Sequence, residues 1–110
     1  MKNIPILLDE IQLSKWACYY CLKHGPDDEI KELITDSLYA HWYCKYIKDD
    51  PEIRKYITNS YWAYRYCKEI KDDPEIRKYI TDSFFAYLYC KNIKDVPGVR
   101  KYITDKELLK

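Results

Sequence analysis

Apolar residues return along this chain at a helical spacing, and the whole arrangement then returns again. Over residues 60–70, Ala63, Tyr66, Cys67 and Ile70 fall at i, i+3, i+4 and i+7, the stripe of an amphipathic helix. A shorter run follows in KDDPEIRKYIT, where Ile76, Tyr79 and Ile80 point one way and Arg77 and Lys78 another. Asp73 suits the N-cap of this second helix, and Pro74 suits its first position, where a missing N–H costs little. The pattern predicts a pair of short helices.

The pair is written four times: SKWACYYCLKHGPDDEIKELITD over 14–36, SLYAHWYCKYIKDDPEIRKYITN over 37–59, SYWAYRYCKEIKDDPEIRKYITD over 60–82 and SFFAYLYCKNIKDVPGVRKYITD over 83–105. Residues 1–13 put Pro5, Leu7 and Ile11 in register with Pro51, Ile53 and Ile57 and read as an N-terminal capping half-repeat, and 106–110 read as a C-terminal cap stub. A fixed period of this size marks units that bury their apolar faces by stacking on one another. The expectation is one all-α domain, a right-handed type of α-solenoid with about four 23-residue two-helix repeats. The serines that open each repeat, with the Asp or Asn before them, are expected to supply N-cap oxygens.

Four copies in one chain form a small internal alignment. Ala17, Tyr20, Cys21, Ile30 and Ile34 are restated in nearly every copy, so these positions are assigned to stacking. Others drift. Position 2 holds Lys15, Leu38, Tyr61 and Phe84, position 5 holds Cys18, His41, Tyr64 and Tyr87, and position 6 holds Tyr19, Trp42, Arg65 and Leu88. Restated every repeat, these would form a column, and its aromatic and arginine content is what binding hot spots favour. Leu38, His41, Trp42, Tyr61, Tyr64, Arg65, Phe84, Tyr87 and Leu88 are therefore the candidate partner-binding surface. The competing structural expectation is that this face packs inward against neighbouring helices.

Segments DDPEIRKYIT, followed by an Ala-containing helix, resemble the Asp-Pro-acidic-apolar-Arg junction of HEAT-type α-solenoids, and the short period resembles leucine-rich variant repeats. AYRYCKEI and AYLYCKNI are similar to Ala-Tyr-x-Tyr tandem repeats of phage-encoded proteins. What the resemblance implies is solenoid architecture and partner binding, in the manner of an inhibitor or adaptor of a host protein, with no catalytic residue carried over.

Charge changes the picture little, since 19 basic and 18 acidic side chains leave a net +1. Neither a bulk polyanion binder nor a DNA mimic is favoured. Arg54 and Lys55, Arg77 and Lys78, and Arg100 and Lys101 recur in register, which gives the alternative function, a nucleic-acid-binding rail. Glu52 and Glu75 stand three residues before Lys55 and Lys78, and Asp49, Asp50, Asp72 and Asp73 adjoin, so a self-neutralised face competes with it. Val96 and Gly98 thin the acid in the last repeat.

Cys21, Cys44, Cys67 and Cys90 form a ladder whose rungs, at the spacing of packed helices, lie too far apart for disulfides and suit small buried side chains. Cys18, Cys21, His41 and Cys44 spell C-x2-C-x19-H-x2-C, a zinc alternative in which Cys21 and Cys44 are already explained by the ladder. No cofactor is expected. His24, beside Gly25 and Pro26, is placed in the interhelix turn. No phosphate loop, H-E-x-x-H or nucleophile elbow is present, so no enzyme activity is expected. No run resembles a signal peptide or membrane span, which predicts a cytoplasmic location. A homo-oligomer closing its own apolar edges is the remaining alternative.

Overall fold

The computed structural model describes residues 3–5, 7–105 and 108; most of the expected C-terminal stub and part of the half-repeat lie outside them. The described residues are all-helical, with long and short helices alternating. The chain divides into two compact units, residues 1–56 and 57–110. In the first, α1 (Glu10–His24), α2 (Asp28–Lys31), α3 (Ser37–Tyr46) and α4 (Pro51–Arg54) follow in order. Here α1 packs on α3, and each carries its short helix beside it. In the second, α5 (Ser60–Glu69), α6 (Pro74–Arg77), α7 (Ser83–Asn92) and α8 (Pro97–Arg100) repeat that plan, with α5 on α7.

Stacking follows the restated positions. Ala17, Ala40, Ala63 and Ala86 are fully buried, as are Tyr43, Tyr66 and Tyr89, and Ile30, Ile53, Ile76 and Val99 fill the matching place on the short helices. Alanine at the closest approach lets the long helices come together. The short helices last one α-turn and close with i to i−3 bonds, such as Tyr56 N–H to Ile53 O and Ile103 N–H to Arg100 O, both 3.0 Å.

The N-cap oxygens come from the residue before the serine. Asp36 accepts from Tyr39 N–H, Asn59 from Tyr61 and Trp62, and Asp82 from Phe84 and Phe85. The serine hydroxyl has another task. Ser14 Oγ donates to Leu33 O at 3.2 Å and accepts from Thr35 N–H at 3.1 Å and Asp36 N–H at 3.2 Å. Ser60 makes the same three bonds with Tyr79, Thr81 and Asp82. One hydroxyl thus uses its full bonding capacity to tie the first residue of a repeat to its last.

The first repeat departs from the expected register. Its long helix starts at Glu10, under an Asp9–Gln12 capping box, so Ser14 is internal. Leu7 and Ile11 are 98% and 57% exposed, unlike the Ile53 and Ile57 they match in sequence. At the other end, Gly25 takes φ 91 and its N–H donates to Cys21 O, a positive-φ closure that glycine adopts freely.

Candidate functional site

In the first unit, position 6 of both repeats and position 10 of the second place a run of aromatic rings across α1 and α3. Tyr19 meets Trp42 edge-on at 5.7 Å, and Trp42 meets Tyr46 at 5.2 Å. Tyr19 and Tyr46 are more than half exposed, Trp42 and Leu38 are half-buried, and Lys15 Nζ lies 5.8 Å from the Tyr19 ring. The edge-to-face Tyr19–Trp42 contact and the tilted Trp42–Tyr46 contact favour fixed ring orientations. Tyr46 was absent from the expected column. Its signal was its place one turn beyond Trp42, at i+4.

The same positions in the second unit are more tightly engaged. Arg65 donates from Nε and Nη2 to the two carboxylate oxygens of Glu69 at 3.0 and 2.5 Å, and from Nη1 to Tyr61 Oη at 2.7 Å. Its guanidinium also lies 5.5 Å from the Tyr61 ring and 5.6 Å from that of Trp62. The Glu69 bond and then the Tyr61 bond raise its pKa, so the charge is permanent and already committed. Phe84 is half exposed and touches Phe85, and Leu88 is half-buried.

Position 5 leaves this surface in the first three repeats. His41 and Tyr64 are 4% and 5% exposed, Cys18 is fully buried, and Tyr87 is half-buried. Position 5 lies one helical turn after position 1 and three residues before position 8, so it shares their inward stripe. Tyr64 stacks with Phe85 at 6.3 Å and accepts from Asn92 Nδ2 at 3.1 Å, which are contacts between neighbouring long helices. A further aromatic row, outside the expected column, stands at position 3, where Trp16, Tyr39, Trp62 and Phe85 are half-buried. An aromatic in all four copies was the available signal.

The arginines of the expected rail turn toward their own repeats. Arg54 pairs with Asp49 at 3.2 Å, Arg77 with Asp72 at 2.9 Å and Arg100 with Asp95 at 3.0 Å. Lys55 and Lys78 pair with Glu52 and Glu75 at 3.3 and 3.0 Å, as the i, i+3 spacing predicted. Lys101 lies 5.2 Å from the Tyr102 ring.

No protein-family model, curated protein or solved structure matches the chain.

The zinc arrangement is not formed. Among the described residues no three His, Cys, Asp or Glu side chains converge to hold a metal ion. Cys18 Sγ donates to Tyr39 O at 3.4 Å. Burial is the first cause raising the pKa of Cys18, Cys21 and Cys44, the last to about 12. All five cysteines are free. His24 is the last residue of α1, exposed, with its ring 4.5 Å from that of Tyr20. No helix among the described residues is long and apolar enough to cross a membrane.

Proposed function

We propose that this chain is a non-enzymatic protein-binding module of the α-solenoid kind, which engages its partner through the ridge carried by positions 2 and 6 of its long helices. The supporting observation is the run Tyr19–Trp42–Tyr46, which extends the ridge to position 10, is exposed at both ends and half-buried at Trp42, and has ring spacings of 5.7 and 5.2 Å. Large rings already held by their neighbours lose little freedom on docking, and Tyr, Trp and Arg dominate binding energy elsewhere. The recurrence of one packing plan in both units supports the repeat architecture. Similarity to phage-encoded Ala-Tyr-x-Tyr repeats makes an inhibitor or adaptor of a host protein the corresponding role.

The test is capture of the partner from extract of the source cell after nuclease treatment, then titration of the purified partner against the wild type and a Trp42→Ala, Tyr46→Ala variant shown to be folded. The expected result is a loss in affinity of roughly a hundredfold, since two hot-spot truncations cost about 1–2 kcal/mol each. Equal affinity for the variant overturns the ridge. Capture that vanishes with nuclease transfers the function to nucleic acid.

A further inference from the structure

The two units contain the same groove at the same seven repeat positions, between consecutive short helices, and the two copies carry opposite charge. In the first unit the α2–α4 groove, about 250 Å³, is lined by Asp28, Glu32 and Glu52 with Lys31, Lys55 and Tyr56. In the second unit the α6–α8 groove, about 240 Å³, is lined by Arg77, Lys78 and Lys101 with Pro74, Gly98 and Tyr102. Three exchanges make the difference: Pro74 stands where Asp28 does, Lys78 where Glu32 does, and Gly98 where Glu52 does. Lining side chains therefore sum to −1 in the first groove, from three acids and two bases, and to +3 in the second, from three bases and no acid.

We propose that the α6–α8 groove binds a phosphate monoester. Such a group carries close to two negative charges at neutral pH and has several acceptor oxygens, which suits a groove whose lining offers lysine and arginine and no carboxylate. Lys101 forms no ion pair among the described residues, and it shares the groove lining with Gly98, where a Cβ would meet nothing within 4 Å. Lys78 makes an exposed pair with Glu75, which competition from a dianion can release, and its Nζ lies 5.5 Å from the Tyr79 ring. Arg77 stays anchored to Asp72, which offsets much of its charge, and forms a fixed wall of the groove, so Lys78 and Lys101 supply the charge that a ligand meets. Tyr102 places a ring in the lining, where the organic part of an ester can rest.

This site is separate from the aromatic ridge and can fail without it. The test is an amide-shift titration of the ¹⁵N-labelled full chain with inorganic phosphate and with phenyl phosphate at constant ionic strength. Saturable shifts are expected in α6, α8 and Tyr102, with none of that size in α2 and α4. The Lys78→Glu, Gly98→Glu variant, which installs two of the three exchanged residues of the first groove, should weaken both probes roughly tenfold or more. A Cβ at Gly98 meets nothing within 4 Å, so this change is sterically free. Lys101→Gln should weaken binding on its own, and Trp42→Ala with Tyr46→Ala should leave it unchanged. Tighter binding of phenyl phosphate points to a phosphorylated aromatic ester as the source, and equal binding to the phosphate group alone. Non-saturating shifts, or saturable shifts that survive both charge variants, overturn the proposal. So does a response to single-stranded oligonucleotide with none to either monoester.

Discussion

Tyr89 Oη donates to Asp72 Oδ1 at 2.6 Å, carrying a fully buried side chain of the fourth repeat to the interhelix turn of the third. The second oxygen of Asp72 receives Arg77 Nη2 at 2.9 Å, and the Arg77 guanidinium lies 5.6 Å from the Tyr89 ring. One carboxylate thus joins the turn, the short helix and the next long helix. In the first repeat the place of Asp72 is taken by Pro26, which has no acceptor side chain. Tyr43 Oη, the counterpart of Tyr89 Oη, is accordingly buried without a hydrogen-bond partner. Lys31, in the place of Arg77, reaches forward to Asp50 at 2.7 Å instead.

This contrast separates two substitutions that look alike. Tyr89→Phe removes a charge-assisted bond and should cost about 1.5–3 kcal/mol. Tyr43→Phe removes an unpaired buried hydroxyl and should be neutral, or stabilising by up to about 1 kcal/mol. Urea denaturation of the two variants checks this, and a loss at Tyr43 as large as that at Tyr89 would refute the account.

Serine closure should depend on burial. Ser14 is fully buried, so Ser14→Ala leaves Leu33 O and two N–H groups unsatisfied and should cost about 2–3 kcal/mol. At the more open Ser60, water can replace the hydroxyl, and Ser60→Ala should cost about 1 kcal/mol. Guanidinium melts of both variants provide the measurement, and the larger loss belongs at Ser14.

Much of the fold was legible because a residue repeated in every copy reports a demand made in every copy. Ala63, Tyr66, Ile76 and Ile80 were assigned to stacking on that ground and are buried. Drift was the weaker guide. Position 5 changes from Cys18 to His41 to Tyr64 and yet faces inward, because each side chain meets a different neighbour and the local space changes with it. The serine closure and the pairing of Tyr89 with Asp72 were hidden for another reason: both join residues about 17 to 22 places apart, beyond the reach of helical periodicity.

Core and ridge should respond differently to size. Ala63 is fully buried, and Ala63→Phe should cost about 3 kcal/mol or prevent folding, because close-packed helices cannot admit a ring. Trp42 is half-buried between Tyr19 and Tyr46, so Trp42→Ala should cost only about 1–1.5 kcal/mol. Thermal melts by circular dichroism test the ranking, and a loss of about 3 kcal/mol or more at Trp42 would move that residue into the core.

Acid stability should pass through Asp50. Burial alone would raise its carboxyl pKa, but the bond from Lys31, the Glu52 N–H and the charges of Lys31 and Lys48 outweigh burial and lower it. A folded pKa below the unfolded one contributes stability that is whole above about pH 4 and is lost as pH falls through the folded value. Asp50→Asn keeps an N-cap oxygen while removing the charge, so it should lower stability by about 2 kcal/mol at pH 7 and by much less near pH 2. Urea midpoints of both proteins across that range give the comparison. A deficit independent of pH would assign the loss to the cap and not to the ion pair.

Thiol chemistry should single out the last repeat. Cys18 and Cys21 are 0% and 1% exposed, Cys44 and Cys67 each 5%, whereas Cys90 is only half-buried. Burial, the first cause in every case, raises the pKa of all five thiols, reaching about 12 for Cys44 and about 11 for Cys67. Alkylation needs both thiolate and access, so iodoacetamide at pH 8 should modify Cys90 first under native conditions. The other four should react only as fast as their helices open, and all five should react together in denaturant. Peptide mapping by mass spectrometry over a time course reads the order directly. Early modification of Cys18 or Cys21 would contradict the packing of α1 on α3, since both thiols lie on the buried stripe that holds those helices together.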